Sequence, residues 1–94
     1  MPRYLLELYL PRASTAQEAA ETARAVTEEA SRRGLVLRHV ETLLVTEDET
    51  CFHVFEAESR ETLVDATRGG GLTEARITEA IQSDAEGSGI TADP

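Results

Sequence analysis

Hydrophobic and polar positions alternate along this chain in a way that predicts six secondary-structure elements. Short runs with strand-like alternation occupy residues 3–10, 36–45, 51–56 and 75–81. Helical spacing of apolar residues occupies 15–33 and 61–68. The order β-α-β-β-α-β in 94 residues predicts an α+β fold. Specifically, we expect a ferredoxin-like sandwich in which two helices cover one face of an antiparallel four-stranded sheet.

Capping residues mark the ends of both helical segments. Ser14 and Thr15 each stand three residues before a Gln or Glu, so two overlapping capping boxes are available to the first helix. Gly34 suits the position just beyond its C-terminus, and Ser59 suits the N-cap of the second helix.

Length and composition predict a single domain over residues 1–82. The segment 83–94 is rich in small and acidic residues, which predicts a disordered tail. The chain has two Phe, two Tyr and no Trp, so its core must be mainly aliphatic. Because such a small core provides little stability, we expect a homodimer.

Charge and hydropathy exclude several partners. With 18 acidic and 9 basic residues the formal net charge is −9, which disfavours nucleic acid and anionic membrane surfaces. No apolar run is long enough for a transmembrane helix. The lone Cys51 and the absence of an apolar signal segment predict a cytoplasmic protein.

Strand alternation divides the sheet residues between two faces. The predicted helix-facing set is apolar and comprises Tyr4, Leu6, Leu8, Val36, Val40, Leu44, Phe52 and Val54. The predicted helix-free set mixes apolar and ionisable residues and comprises Leu5, Glu7, Tyr9, His39, Glu41, Leu43, Cys51, His53, Phe55, Ile77, Glu79 and Ile81. Residues 36–45 fit either parity imperfectly, so His39 is the least certain member.

Ionisable groups on this predicted helix-free face suggest a small-molecule site at a dimer interface, because ligand pockets combine apolar area with a few polar groups. The expected ligand-binding residues are Glu7, Tyr9, His39, Glu41, His53 and Glu79. The chain is accordingly interpreted as a ligand-binding or accessory protein. For any single residue, however, charge pairing on a half-wet dimer face is the more frequent explanation.

A small cofactor-independent enzyme is the alternative interpretation. Glu7, Tyr9 and His53 are the candidates for acid–base catalysis of an isomerase, cyclase or monooxygenase-like reaction. That comparison depends on fold analogy alone. Cys51 has no nearby basic residue to activate it, so it is expected to be an inert core residue.

Metal ligation has two weak candidates, His39 and His53. If residue 46 lies opposite residue 50 in the hairpin, the two imidazoles are separated by roughly 13 Å at the usual strand rise. One metal ion cannot bridge them within a subunit at that separation. No cofactor is therefore expected, and weak, dimer-dependent binding of nickel or zinc is the remaining alternative.

Four short segments together resemble a known family. They are the opening PRYLLELYLP at 2–11, EDETCF at 47–52, FEAES at 55–59 and RITEA at 76–80. Over about residues 2–81 the chain resembles a family of small bacterial proteins of unknown function, domain-of-unknown-function 4242. Its named representatives are nickel-binding proteins with a ferredoxin-like fold.

The resemblance implies a dimer whose open sheet faces build a barrel-like interior containing the ligand site. The family's nickel binders are richer in histidine, especially around the second helix and the following loop. In that region this chain has Thr67, Leu72 and Thr78 instead, and its only histidines are His39 and His53. The resemblance therefore implies the fold more strongly than it implies a nickel site.

Overall fold

The computed structural model describes residues 1–72 and 74–81. Its elements, in chain order, are β1 (Arg3–Tyr9), α1 (Ala16–Arg33), β2 (Leu37–Val45), a 3-10 turn (Thr46–Asp48), β3 (Thr50–Ala57), α2 (Arg60–Gly69) and β4 (Arg76–Ala80). The predicted tail at 83–94 lies outside the described residues. None of the helices in the described ranges has the length and apolar character needed to span a membrane.

The four strands form one antiparallel sheet in the order β2-β3-β1-β4. The first and third strands occupy its centre, and both helices pack on one face. This is the ferredoxin-like α+β sandwich that the element order predicts. Strands β2 and β4 form the two edges of the sheet, so each of them pairs with one strand only.

Capping sets the start of both helices. Thr15 Oγ1 accepts a hydrogen bond from the Glu18 amide at 3.1 Å, and Glu18 Oε1 accepts one from the Thr15 amide at 2.8 Å. Of the two overlapping boxes, the structure uses the second. Gly34 ends α1 in the left-handed region, with φ of 68°, and Ser59 caps α2 as expected.

Small and aliphatic side chains build the core between the sheet and the helices. Strand β1 contributes Tyr4, Leu6 and Leu8, which the sequence assigns to this face. The helices contribute Ala19, Ala23, Val26, Ala30, Leu63 and Ala66. Because the contact stripe of α1 is mostly alanine, the helix approaches the sheet closely.

The predicted face assignment of β3 is wrong. Residues directly opposed in an antiparallel pair project from the same face, and here the partners are Tyr4 with Phe55, Leu6 with His53, and Leu8 with Cys51. Cys51, His53 and Phe55 therefore face the helices, while Phe52 and Val54 face the open side. Five of the eight residues of β3 are buried, so hydrophobicity does not distinguish its two faces.

A β-bulge in β2 explains why its parity fits neither simple pattern. His39 pairs with Phe55 and Glu41 pairs with Val54, so Val40 is an extra residue. The bulge places both His39 and Thr42 on the helix-facing side. Val45, rather than residue 46, lies opposite Thr50. The expected separation of the imidazoles is wrong, because the ring centroids of His39 and His53 are 5.6 Å apart.

Strand β4 also has the opposite parity to the expected one. Ile77 lies opposite Leu6 and Glu79 lies opposite Tyr4, so both are on the helix side of the sheet. Ile81 follows the end of the strand and is exposed. A five-residue edge strand provides too little alternation to fix its register from sequence alone.

Replacement of Thr15 by Ala should lower the free energy of unfolding by about 1 kcal/mol, because it removes the side-chain acceptor of the capping box. Ser14→Ala is the matched control and should change the free energy of unfolding much less. Urea denaturation of both variants measures the difference. Equal losses in the two variants would contradict the assignment of the cap to Thr15.

Candidate functional site

The six predicted site residues are divided between the two faces of the sheet. Glu7, Tyr9 and Glu41 are on the open side. His39, His53 and Glu79 are on the helix side, so their expected position on the open face is wrong. Within one chain the sheet separates Glu7 and Tyr9 from His53. The three candidates for acid–base catalysis therefore do not converge on one reacting centre.

His53 is completely buried beneath α1, with 0% of its surface exposed, and both ring nitrogens are hydrogen-bonded. Nε2 is 2.6 Å from the hydroxyl of Thr22 on α1, and Nδ1 is 2.7 Å from the hydroxyl of Thr42 on β2. Thr42 Oγ1 is also 2.8 Å from Nε2 of His39. Together Thr22, His53, Thr42 and His39 form a continuous polar chain, which we call the Thr–His chain.

A hydroxyl group and a neutral imidazole each have one proton to donate, and this fixes the direction of hydrogen bonding along the Thr–His chain. Thr22 donates its hydroxyl proton to the Ala19 carbonyl at 2.7 Å, so it accepts from Nε2–H of His53. Neutral His53 then has Nδ1 as an acceptor, and Thr42 donates to it. Having used its one proton, Thr42 accepts from Nε2–H of His39.

With His39 neutral, the other end of the Thr–His chain is an acceptor. In a neutral imidazole whose Nε2 carries the proton, Nδ1 has a free lone pair. Nδ1 of His39 makes no hydrogen bond within the described ranges. The His39 ring also packs against His53 and Phe55, with centroids 5.6 and 5.2 Å away. These contacts hold the ring in place and leave one nitrogen for an external donor.

Burial lowers the pKa of His53 to about 4, with a smaller contribution from the nearby His39. At pH 7 only about one molecule in a thousand carries a protonated His53. A general base works best when its pKa is near the operating pH, so His53 is a poor proton acceptor in catalysis. His53 therefore acts as a neutral hydrogen-bonding group between Thr22 and Thr42.

Cys51 lies next to His53 but is not activated by it. Its Sγ is 3.5 Å from Nε2 of His53, and the residue is fully buried. Burial raises the pKa of the Cys51 thiol above its ordinary value. The thiol form therefore predominates at neutral pH, in agreement with the interpretation of Cys51 as an inert core residue.

An apolar groove of about 290 Å³ lies between α1 and β2, directly over the His39 end of the Thr–His chain. Its walls are small or aliphatic, namely Ala16, Ala19, Ala20 and Leu44, and its polar residues are His39 and Thr42. The groove exists because alanine side chains cover this part of β2 incompletely. It combines apolar walls with a few polar groups, as ligand sites usually do.

Sequence reasoning missed both threonines of the Thr–His chain. Thr22 lies between Ala19 and Ala23 of the apolar α1 stripe, and this position is the signal that could have identified it. A hydroxyl on a core-facing stripe needs a partner, because a buried polar group without one is costly. Thr42 gave no comparable signal, because the bulge conceals its parity.

Glu7 and Tyr9 line a separate cleft of about 240 Å³ on the open side, with Arg76 opposite Glu7 in the sheet. Three further acidic side chains line it, Asp48, Glu49 and Glu74. Glu41 lies on β2, away from this cleft. Within residues 1–72 and 74–81, no three His, Cys, Asp or Glu side chains are grouped so as to hold a metal ion.

Comparison with known proteins supports the fold. No family model matches this chain, and no curated protein matches it. Among solved structures it is similar to SCO4226 from Streptomyces coelicolor A3(2), with a TM-score of 0.69 and 14% sequence identity. The match covers 87% of this chain and 99% of that chain. At this identity the likeness shows the fold alone.

Acid should destabilise the protein through His53. Its pKa is about 4 in the folded protein and about 6.5 when unfolded, so the unfolded chain binds more protons between these pH values. The contribution to stability is complete above about pH 6.5 and is lost as the pH falls towards 4. It amounts to about 3 kcal/mol.

Urea unfolding between pH 4 and 7, with His53→Gln as the comparison, measures this contribution. Subtracting the unfolding free energy of the variant from that of the unmodified protein cancels the contribution of carboxylates that titrate in the same pH range. Imidazole ¹⁵N spectra of the unmodified protein give an independent reading and should show His53 neutral at pH 6 with its proton on Nε2. A charged His53 at that pH would contradict the assignment.

Proposed function

We propose that this protein binds a small, largely apolar molecule in the groove between α1 and β2. The observation that carries the proposal is the position of the Thr–His chain, which ends at His39, one of the residues that line that groove. Apolar walls favour desolvation of the ligand, and one fixed polar atom gives it an orientation.

The direction of the Thr–His chain specifies the ligand chemistry. In neutral His39, Nε2–H is donated to Thr42 and Nδ1 is left to accept a hydrogen bond from the ligand. The ligand should therefore carry a hydroxyl or N–H donor on an apolar body. A molecule of the same shape without a donor would leave the lone pair of Nδ1 unpaired in the groove, which costs binding free energy.

Acid–base catalysis by His39 is the second candidate function, favoured by the position of its ring at the groove. The far end of the Thr–His chain argues against proton transfer along it. Thr22 donates to the Ala19 carbonyl, which is not a base, and His53 resists a second proton. The arrangement therefore favours ligand binding over a proton relay.

Phenol should bind the groove more tightly than anisole, which has a similar shape but no donor. One net hydrogen bond is worth about 0.5–1.5 kcal/mol, so the preference should be about threefold to tenfold. Titration monitored by ¹H–¹⁵N correlation spectra should show saturable shifts in residues 16–20 and 39–44. Equal affinity for phenol and anisole would refute the assigned hydrogen-bond direction.

Three variants separate the contributions. His39→Leu should abolish the preference for phenol while leaving weak binding of both probes. Ala20→Leu should fill the groove and weaken both probes, whereas Ala13→Leu, at an exposed position before α1, should weaken neither. If Ala20→Leu leaves both affinities unchanged, the probes bind elsewhere.

The open face of the sheet supports the proposal of a homodimer. Phe52 and Val54 of β3 lie there with Leu5 of β1 and Leu43 of β2, and Leu43 is 50% exposed. An apolar patch at the centre of an open sheet is stabilised by a second copy of the same face. A dimer, a cytoplasmic location and membership in the nickel-binding-protein-like family all stay predictions from the sequence.

Light scattering at micromolar concentration should give about twice the monomer mass of 10.2 kDa. Leu43→Glu should reduce the mass to that of the monomer, because it places a charge in the apolar patch of the open face. Gln17→Glu adds the same charge on exposed α1 and should leave the dimer intact. A monomeric unmodified protein would refute this proposal without affecting the groove.

A further inference from the structure

A second cleft, of about 180 Å³, lies between α2 and β4, away from the Thr–His chain. Its polar residues are Arg60, Thr67 and Arg68, and its apolar walls include Val64, Leu72 and Ile77. Positions 60, 64, 67 and 68 recur at helical spacing, so α2 presents them on one face. The cleft is too small for a drug-sized ligand and suits a molecule of a few heavy atoms.

Thr67 is the first observation that points to a ligand here. Its side chain lines the cleft and only 3% of the residue is exposed. Its Oγ1 is buried and has no hydrogen-bond partner in the described part of the chain. Buried hydroxyl groups are normally paired, so this one has an unmet hydrogen bond at the wall of the cleft.

The two arginines are the second, independent observation. Nη1 of Arg60 donates to the Ile77 carbonyl at 2.8 Å, which holds the guanidinium beside β4. Within residues 1–72 and 74–81, neither Arg60 nor Arg68 forms an ion pair. Within the same described residues both guanidinium groups therefore retain N–H donors for an external carboxylate, and they line one cleft.

We propose that the cleft between α2 and β4 binds a small carboxylate that has a short hydrocarbon chain. The carboxylate would accept charge-assisted hydrogen bonds from Arg60 and Arg68 and a further bond from Thr67. The hydrocarbon chain would contact Val64, Leu72 and Ile77. This site is separate from the groove over His39, so either proposal can fail without the other.

Sodium butyrate is the probe, titrated into ¹⁵N-labelled full-length protein at constant ionic strength. Saturable shifts are expected at residues 60–68 and 75–77, with residues 16–20 unaffected. Each CH₂ group buried against the apolar walls strengthens binding about fourfold, so butyrate, which has two more of them, should bind about fifteenfold more tightly than acetate. Inorganic phosphate, which has no apolar part, should bind no better than acetate.

Matched variants test the assigned residues. Arg68→Gln should weaken butyrate about tenfold, whereas Arg24→Gln, which removes the same charge from exposed α1, should not. Thr67→Val is close in shape and should also weaken butyrate while leaving the unliganded fold at least as stable, because the unpaired hydroxyl is gone. Its denaturation midpoint, measured without butyrate, checks folding.

Three outcomes would overturn the proposal. They are the absence of saturable shifts at α2, equal weakening in Arg68→Gln and Arg24→Gln, or tighter binding of phosphate than of butyrate. The last would identify a general anion site rather than a carboxylate site. If Thr67→Val retains full butyrate affinity, the assignment of the Thr67 hydroxyl as a ligand contact is wrong.

Discussion

The need to pair both ring nitrogens of a fully buried histidine determines much of this structure. His53 projects from a central strand into the helix–sheet interface, where an unpaired polar group would cost about 1–3 kcal/mol. Thr22 can pair with Nε2 only if α1 lies directly over β3, and Thr42 can pair with Nδ1 only if β2 is in the observed register. These two bonds therefore position the helix and the edge strand, and a third bond, between His39 and Thr42, positions the ring of His39.

Sequence reasoning recovered the elements, their order and the helix ends, because these depend on local signals. The capping box at Thr15 and the left-handed Gly34 are encoded within a few residues of each helix end. The faces of β2, β3 and β4 were not recoverable in the same way. In β3 apolar residues occupy both faces, and in β2 the extra residue Val40 reverses the parity partway along the strand. The bulge puts His39 on the helix side, and His53 is there because the parity of the whole of β3 is opposite to the predicted one.

This exchange of faces changes the chemistry that the residues can perform. Glu7, Tyr9 and His53 resemble an acid–base set when they are assigned to one face, but the backbone of the sheet lies between the first two and the third. Removed from water and from carboxylates, His53 stays neutral and serves as a bridge between two threonines. The open face retains an acidic cleft and an apolar centre.

The groove over His39 follows from the same alanines that allow α1 to approach the sheet. Ala19 is buried against the core, whereas Ala16 and Ala20 lie at the β2 edge, where longer side chains would fit. Leucine at those positions would bury additional methylene groups, each worth about 0.8 kcal/mol. A sequence optimised only for stability would fill this space, since a small aliphatic core has little stability to spare. The opening persists beside a hydrogen-bonded series of side chains whose terminal atom, Nδ1 of His39, has no partner among the described residues, and the proposed ligand site depends on these two features.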